Sequence, residues 1–131
     1  MKIQIKTFLY EDILYECNAN NFKEAIEKAV KEKTCLEYAD ISGANLIDSN
    51  LSDANFQEAD FSGANLLYAD LSGTNLVGAD LKGANLKYAN LKYTDLTGAN
   101  LSCADLTGAD LTGAKLTGAQ ISIGNVYKKI Q

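Results

Sequence analysis

The 131-residue sequence has no histidine and no arginine, so every basic side chain in it is a lysine. The first absence removes the commonest general base and metal ligand, and the second removes the usual bidentate partner of phosphate and carboxylate. Together they argue against an enzyme, and neither a cofactor nor a metal is expected. Cys17, Cys35 and Cys103 occur in unrelated contexts without Cys-x-x-Cys spacing, so neither a zinc site nor a disulfide framework is indicated, and reduced thiols in a cytoplasmic protein are expected. No run approaches the roughly 20 apolar residues of a membrane span, and no apolar stretch of signal-peptide length follows Met1 and Lys2. With 17 acidic residues against 12 lysines the net charge is −5, which disfavours direct binding to nucleic acid or to an anionic membrane.

What the sequence does have is a period. Leu, Ile or Phe stands at every fifth position from Leu36 to Ile121, which makes 18 consecutive pentads. The small residue two places earlier is Ala except at Thr34, Ser49, Thr74 and Thr94, and Asn or Asp lies between the two in fifteen pentads. Nine of the ten glycines fall in the last slot. A step of five would turn a helical side chain about 140° each time and would alternate between the faces of a strand, so neither regular element makes the large residues equivalent. A coil that bends once per pentad does. Large and small residues then point to a common axis, Asn and Asp bond locally to backbone at the corners, and Gly accepts angles that branched residues refuse. Leu46, Leu51, Phe56, Phe61, Leu66, Leu71, Leu76, Leu81, Leu86, Leu91, Leu96, Leu101, Leu106 and Leu111 are the expected core.

The pattern Ala64-Asn65-Leu66-Leu67-Tyr68-Ala69-Asp70-Leu71-Ser72-Gly73 resembles the pentapeptide-repeat family, and the resemblance covers about 70% of the chain. It implies an all-β fold, a right-handed quadrilateral β-helix with four pentads per coil. Eighteen pentads then make about 4.5 coils, a rod of about 22 Å at the spacing of neighbouring strands.

A stack of coils exposes backbone edges and apolar interior at its ends, so caps are expected. Residues 2–7 and 13–19 alternate in polarity as two short strands would. Asn21 is placed to cap a helix over residues 22–33, with Glu24 three residues on and an apolar stripe of Phe22, Ala25, Ile26, Ala29 and Val30. Glu24 with Lys28, and Glu27 with Lys31, are spaced to pair on its wet side. Residues 1–33 therefore read as a small α+β cap, residues 34–126 as the β-helix and residues 127–131 as a tail. A hairpin and helix ahead of the repeats also resembles the N-terminal cap of some bacterial and phage members of the family. Because the tail is too short for a capping helix, an exposed last coil is expected. A homodimer through residues 114–131, with Ile121, Ile123, Val126 and Ile130 at the contact, follows as an expectation.

With four pentads per coil, residues 20 apart stack on one face. Asp40, Asp60 and Asp80 then form a column of outward carboxylates that repeats about every 4.8 Å and has the chemistry to hold a hard cation, although solvated aspartates bonded to their own backbone explain it more simply. Tyr68 and Tyr88 stack likewise, with Tyr93 on the next face, beside Lys87 and Lys92. Such a patch has the chemistry of a protein-interaction surface, against the simpler reading of tyrosines that merely cover coil backbone. Residues 34–81 carry eight acids and no Lys, whereas residues 82–126 carry three acids and four Lys. The sequence therefore favours a non-catalytic structural or interaction module with a protein partner it does not identify. The alternative comes from the resemblance, which implies that a rod-shaped acidic dimer acts as a DNA mimic binding a type II topoisomerase, DNA gyrase. The nearly neutral second half and short rod depart from that pattern.

Overall fold

The computed structural model describes residues 1–123 and 126–129, with backbone alone from Ile123 onward. From residue 36 to residue 119 the chain winds as a coil in which residues 20 apart form parallel bridges. Asp40 pairs with Asp60, Asn45 with Asn65, Asn50 with Asp70 and Asn55 with Asn75, and the ladder continues to Asp95 and Lys115. Four pentads thus close one turn, giving a quadrilateral β-helix.

Each corner has the hydrogen bond of a β-turn and the positive φ that a type II turn has at its third residue. In the pentad beginning at Ala39, the N–H of Ala44 donates to the carbonyl of Ile41 at 3.2 Å, and Gly43 between them has φ 65°. Type II turns require positive φ at their third residue, which is why Gly recurs in the last slot. Between coils the backbone is shared in both directions: Leu46 N–H donates to Asn65 O at 2.8 Å, and Asn65 N–H to Ala44 O at 2.9 Å. The Asn and Asp side chains accept from the N–H two residues on, as in the bonds from Ser72 to Asp70 and from Lys87 to Asn85.

Inside, twelve of the fourteen expected core residues, Leu46 through Leu101, are at most 1% exposed. Phe56 and Phe61 meet edge to face at 4.9 Å in one coil. The two exceptions are Leu106 and Leu111, which are only half-buried because no described coil stacks on them. Thr74 and Thr94, at small inward positions, both donate their hydroxyls to the Leu71 carbonyl, at 2.7 and 2.9 Å. The Ser49 hydroxyl is equally buried and has no partner among the described residues.

Ahead of the coil, β1 (Lys2–Lys6) and β2 (Ile13–Asn18) pair antiparallel with an irregularity after Ile5, and α1 (Phe22–Lys31) follows. Asn21 accepts the Glu24 N–H at 2.8 Å, while the Glu24 carboxylate accepts the Asn20 N–H at 2.9 Å. The helix stops two residues short of the expected Lys33. There Thr34 N–H reaches Ala29 O, Lys33 N–H reaches Val30 O, and Lys33 takes φ 59°, which together make a Schellman ending with Lys in the position Gly usually holds. Glu24 pairs with Lys28 at 3.5 Å as spaced, but Glu27 does not pair with Lys31. Its carboxylate accepts the Asn50 N–H at 2.9 Å instead and ties the helix to the first coil. Ile5, Ile26 and Ala29 join the buried cluster of Leu36, Ile41, Leu46 and Leu51. β1 also extends the sheet of one face, through a Thr7–Ala39 bridge and a bond from Asp40 N–H to Lys6 O.

At the other end, β3 (Asn100–Leu101) pairs parallel with β4 (Gln120–Ile123), which pairs antiparallel with β5 (Val126–Lys129). Of the expected tail, Tyr127, Lys128 and Lys129 continue the sheet, and residues 130–131 lie outside the described residues. Ile121 is half-buried against the core. Of the expected dimer contact, Ile130 and the side chains of Ile123 and Val126 lie outside the described residues.

Candidate interaction surface

The acidic column is in place, with Asp40, Asp60 and Asp80 bridged in sequence along one face. Each carboxylate turns back on its own chain: Asp60 accepts from the N–H and the hydroxyl of Ser62 at 2.9 and 2.6 Å, Asp40 accepts likewise from Ser42, and Asp80 accepts from the Lys82 N–H. Among the described residues no three acidic, Cys or His side chains converge to hold a metal ion. The column's local bonding is a corner-building role.

Tyr68 and Tyr88 do come together. Their rings are 5.3 Å apart and inclined by 15°, and both side chains remain more than half exposed, at 56% and 53%. Tyr93, on the next face, is 70% exposed. The Tyr88 ring lies over Gly108 and the Tyr93 ring over Gly113, closely enough that a Cβ on either glycine would collide with it. Lys87 and Lys92 flank the tyrosines and reach across to the next coil, where they pair with Asp105 at 3.6 Å and Asp110 at 3.5 Å. Those two carboxyls are held below their ordinary values, first by the Thr107 and Thr112 hydroxyls at 2.7 and 2.6 Å, then by the backbone N–H of the same threonines, with the lysines adding to the effect.

All three tyrosines have positive φ: 59° at Tyr68, 56° at Tyr88 and 59° at Tyr93. They occupy the turn position that Gly fills in nine other pentads, and an L-residue pays about 1–2 kcal/mol there. The four-pentad coil implied by the family resemblance foretold which tyrosines stack, but not this backbone conformation. A second aromatic group escaped sequence reasoning altogether. Phe8, Leu9, Tyr10 and Ile13 around the β1–β2 turn are exposed, and Phe8 sits 6.2 Å from Tyr38 of the first coil. The only sequence signal for it was the apolar run Phe8-Leu9-Tyr10 in a segment with turn character.

A closed coil with a filled interior, flat bonded faces and chemistry confined to its surface defines a repeat solenoid. Residues 34–66, 64–102 and 89–122 match the family described as pentapeptide repeats, in eight copies. The chain belongs to the pentapeptide repeat family, whose members fold as right-handed quadrilateral β-helices. Among solved structures it is similar to HetL of the cyanobacterium Nostoc sp. strain PCC 7120, a pentapeptide repeat protein involved in heterocyst differentiation regulation. The two are 42% identical over 66% of this chain and 40% of HetL, with a TM-score of 0.63. A pentapeptide repeat protein of the Arabidopsis thaliana thylakoid lumen is 35% identical over 65% of this chain and 63% of its own, with a TM-score of 0.41. Trypsin-treated QnrB1, a plasmid-mediated fluoroquinolone resistance protein, is 29% identical over 60% of this chain and 40% of its own, with a TM-score of 0.49. The chain thus spans well under two thirds of HetL's length. Comparison with curated protein sequences finds no match. Among the described residues no helix is long and apolar enough to cross a membrane.

Proposed function

We propose that the chain is a non-catalytic protein-interaction module, in which residues 1–33 cap a rigid rod formed by residues 34–126 and Tyr68, Tyr88 and Tyr93 contact a protein partner. The observation that carries this reading is the stacking of Tyr68 on Tyr88 at 5.3 Å with both rings more than half exposed, beside Tyr93, exposed by 70% on the next face. The positive φ belongs to the turn, since Tyr38, Asp48, Asp53, Glu58 and Cys103 share it, and it is the exposed rings that fit a contact surface, aromatic side chains being favoured anchors at interfaces. HetL, named for a role in regulation, is compatible with such a module. Free thiols at all three cysteines suit the cytoplasm. The topoisomerase-binding alternative asks for an acidic surface along the rod, and the pairing of Asp105 and Asp110 with Lys87 and Lys92 argues for the interaction reading instead. The half-buried Leu106, Leu111 and Leu116 of the last coil also support end-to-end pairing of two copies, which light scattering after gel filtration would register as a doubled mass.

The test is capture of partners from cells of the source with the wild-type chain and with a variant carrying Tyr68→Ala, Tyr88→Ala and Tyr93→Ala, both checked for folding by circular dichroism. A partner held by the wild type and lost by the folded variant is the expected result. Equal capture by the two proteins overturns the assignment of this surface.

A further inference from the structure

Near the opposite end of the rod, a hollow of about 210 Å³ is lined by Phe8, Glu58, Ala59, Asp60, Gly78 and Asp80. Phe8, on its edge, leads into the β1–β2 turn, where Leu9 and Tyr10 are exposed by 52% and 81% and are followed by Glu11 and Asp12. Two features select what fits there. None of Glu58, Asp60 and Asp80 is in an ion pair among the described residues, whereas Asp105 and Asp110 further along the rod each have a lysine. Residues 34–81, over all faces of the coil, carry eight acids and no lysine, and Lys82 is the lysine next in sequence to Asp80. An excess of negative charge beside exposed aromatic and aliphatic side chains is complementary to a group that is both cationic and apolar. The Phe8 ring adds an attractive face for an ammonium or guanidinium.

We propose that this hollow and the turn that Phe8 joins to it dock a basic segment of a partner protein, with Lys or Arg head groups meeting Glu58, Asp60 and Asp80 and large apolar side chains packing on Phe8, Leu9 and Tyr10. The proposal rests on the interaction reading only in taking the partner to be a protein. It uses a surface separate from Tyr68, Tyr88 and Tyr93, so loss of binding at one surface leaves the other standing.

Three probes of equal length test it: peptides of alternating Lys and Leu, of Lys and Ser, and of Glu and Leu, titrated into the ¹⁵N-labelled chain. With the Lys/Leu peptide, amide shifts are expected to centre on Phe8 to Glu11, Tyr38, Glu58 and Gly78, and affinity should be about tenfold above that of the Lys/Ser peptide. The Glu/Leu peptide should not bind. Phe8→Ala with Tyr10→Ala should bring the Lys/Leu peptide down to the Lys/Ser level, while Glu58→Gln with Asp60→Asn should weaken both. Equal affinity of the Lys/Leu and Lys/Ser peptides for the wild type, shifts spread evenly over the acidic residues from Glu37 to Asp80, or no binding of either basic peptide would each overturn the proposal.

Discussion

Every pentad from the one ending at Tyr38 to the one ending at Gly118 finishes in a residue with φ between 56° and 74°, nine of them glycines. The conformation belongs to the turn, so a side chain in that slot acts through strain and through whatever it lies on. Gly83 and Gly108 separate the two effects. A Cβ on Gly83 would meet nothing within 4 Å, while one on Gly108 would meet the Tyr88 ring. Gly83→Ala should therefore lose about 1–2 kcal/mol from strain alone. Gly108→Ala should lose more and also disturb the Tyr68–Tyr88 stack, which urea denaturation followed by tyrosine fluorescence reads in both respects. The inward positions obey a different rule. Leu81, fully buried in mid-stack, should cost about 2–5 kcal/mol on truncation to Ala through lost contacts and a cavity. Ser72→Ala, which removes only the outer hydroxyl bond to Asp70, should cost below about 1 kcal/mol in the same assay.

At the scale of elements, α1 is held from both ends by features of unequal quality. Asn21 caps its start with a good acceptor, but its end puts Lys33 at φ 59° where the Schellman ending favours Gly. Lys33→Gly should raise stability by about 0.5–1 kcal/mol, visible as a higher urea midpoint at unchanged slope. An unchanged or lower midpoint would show that the Lys33 side chain contributes more than its backbone strain removes. Much of this element was legible in sequence: the Asn21 and Glu24 spacing marks the start, and the stripe through Ala25, Ile26 and Ala29 marks the buried face. The end was not, because Lys33 gives no stop signal and the turn is fixed by bonds to Ala29 and Val30. Glu27 was misassigned for a related reason. Its partner, the N–H of Asn50, is 23 residues away, and only the docking of helix on coil reveals it. The repeat was legible throughout from its inward slots, which admit few residue types, and the four pentads per coil implied by the family resemblance stacked Tyr68 on Tyr88. The Phe8–Tyr38 contact and the acidic hollow were hidden, since they depend on where Phe8 at the end of β1 meets the first coils.

For the whole molecule, charge and stability are linked through the last coils. Asp95, Asp105 and Asp110 all have carboxyls held below their ordinary values, first by the hydroxyls of Thr97, Thr107 and Thr112. A folded-state pKa below the unfolded one contributes stability above the unfolded carboxyl range, near pH 4, and that stability is lost as pH falls through the folded values. Thermal midpoints should therefore be flat across neutral pH and fall below about pH 4. Replacing Asp105 and Asp110 by Asn should flatten that fall, and an identical acid limb in the variant would contradict the assignment.

If the exposed tyrosines serve contact with a partner, they are not needed to hold the rod. Tyr93 is the cleanest case, being 70% exposed, in no aromatic pair among the described residues and at φ 59°. The most direct measurement is equilibrium urea unfolding of Tyr93→Gly beside the wild type. Stability equal to the wild type or higher is expected, as strain at a position the fold gives freely to Gly is relieved. A loss of more than about 1 kcal/mol would show that the ring lying over Gly113 is structural, and would overturn the contact role.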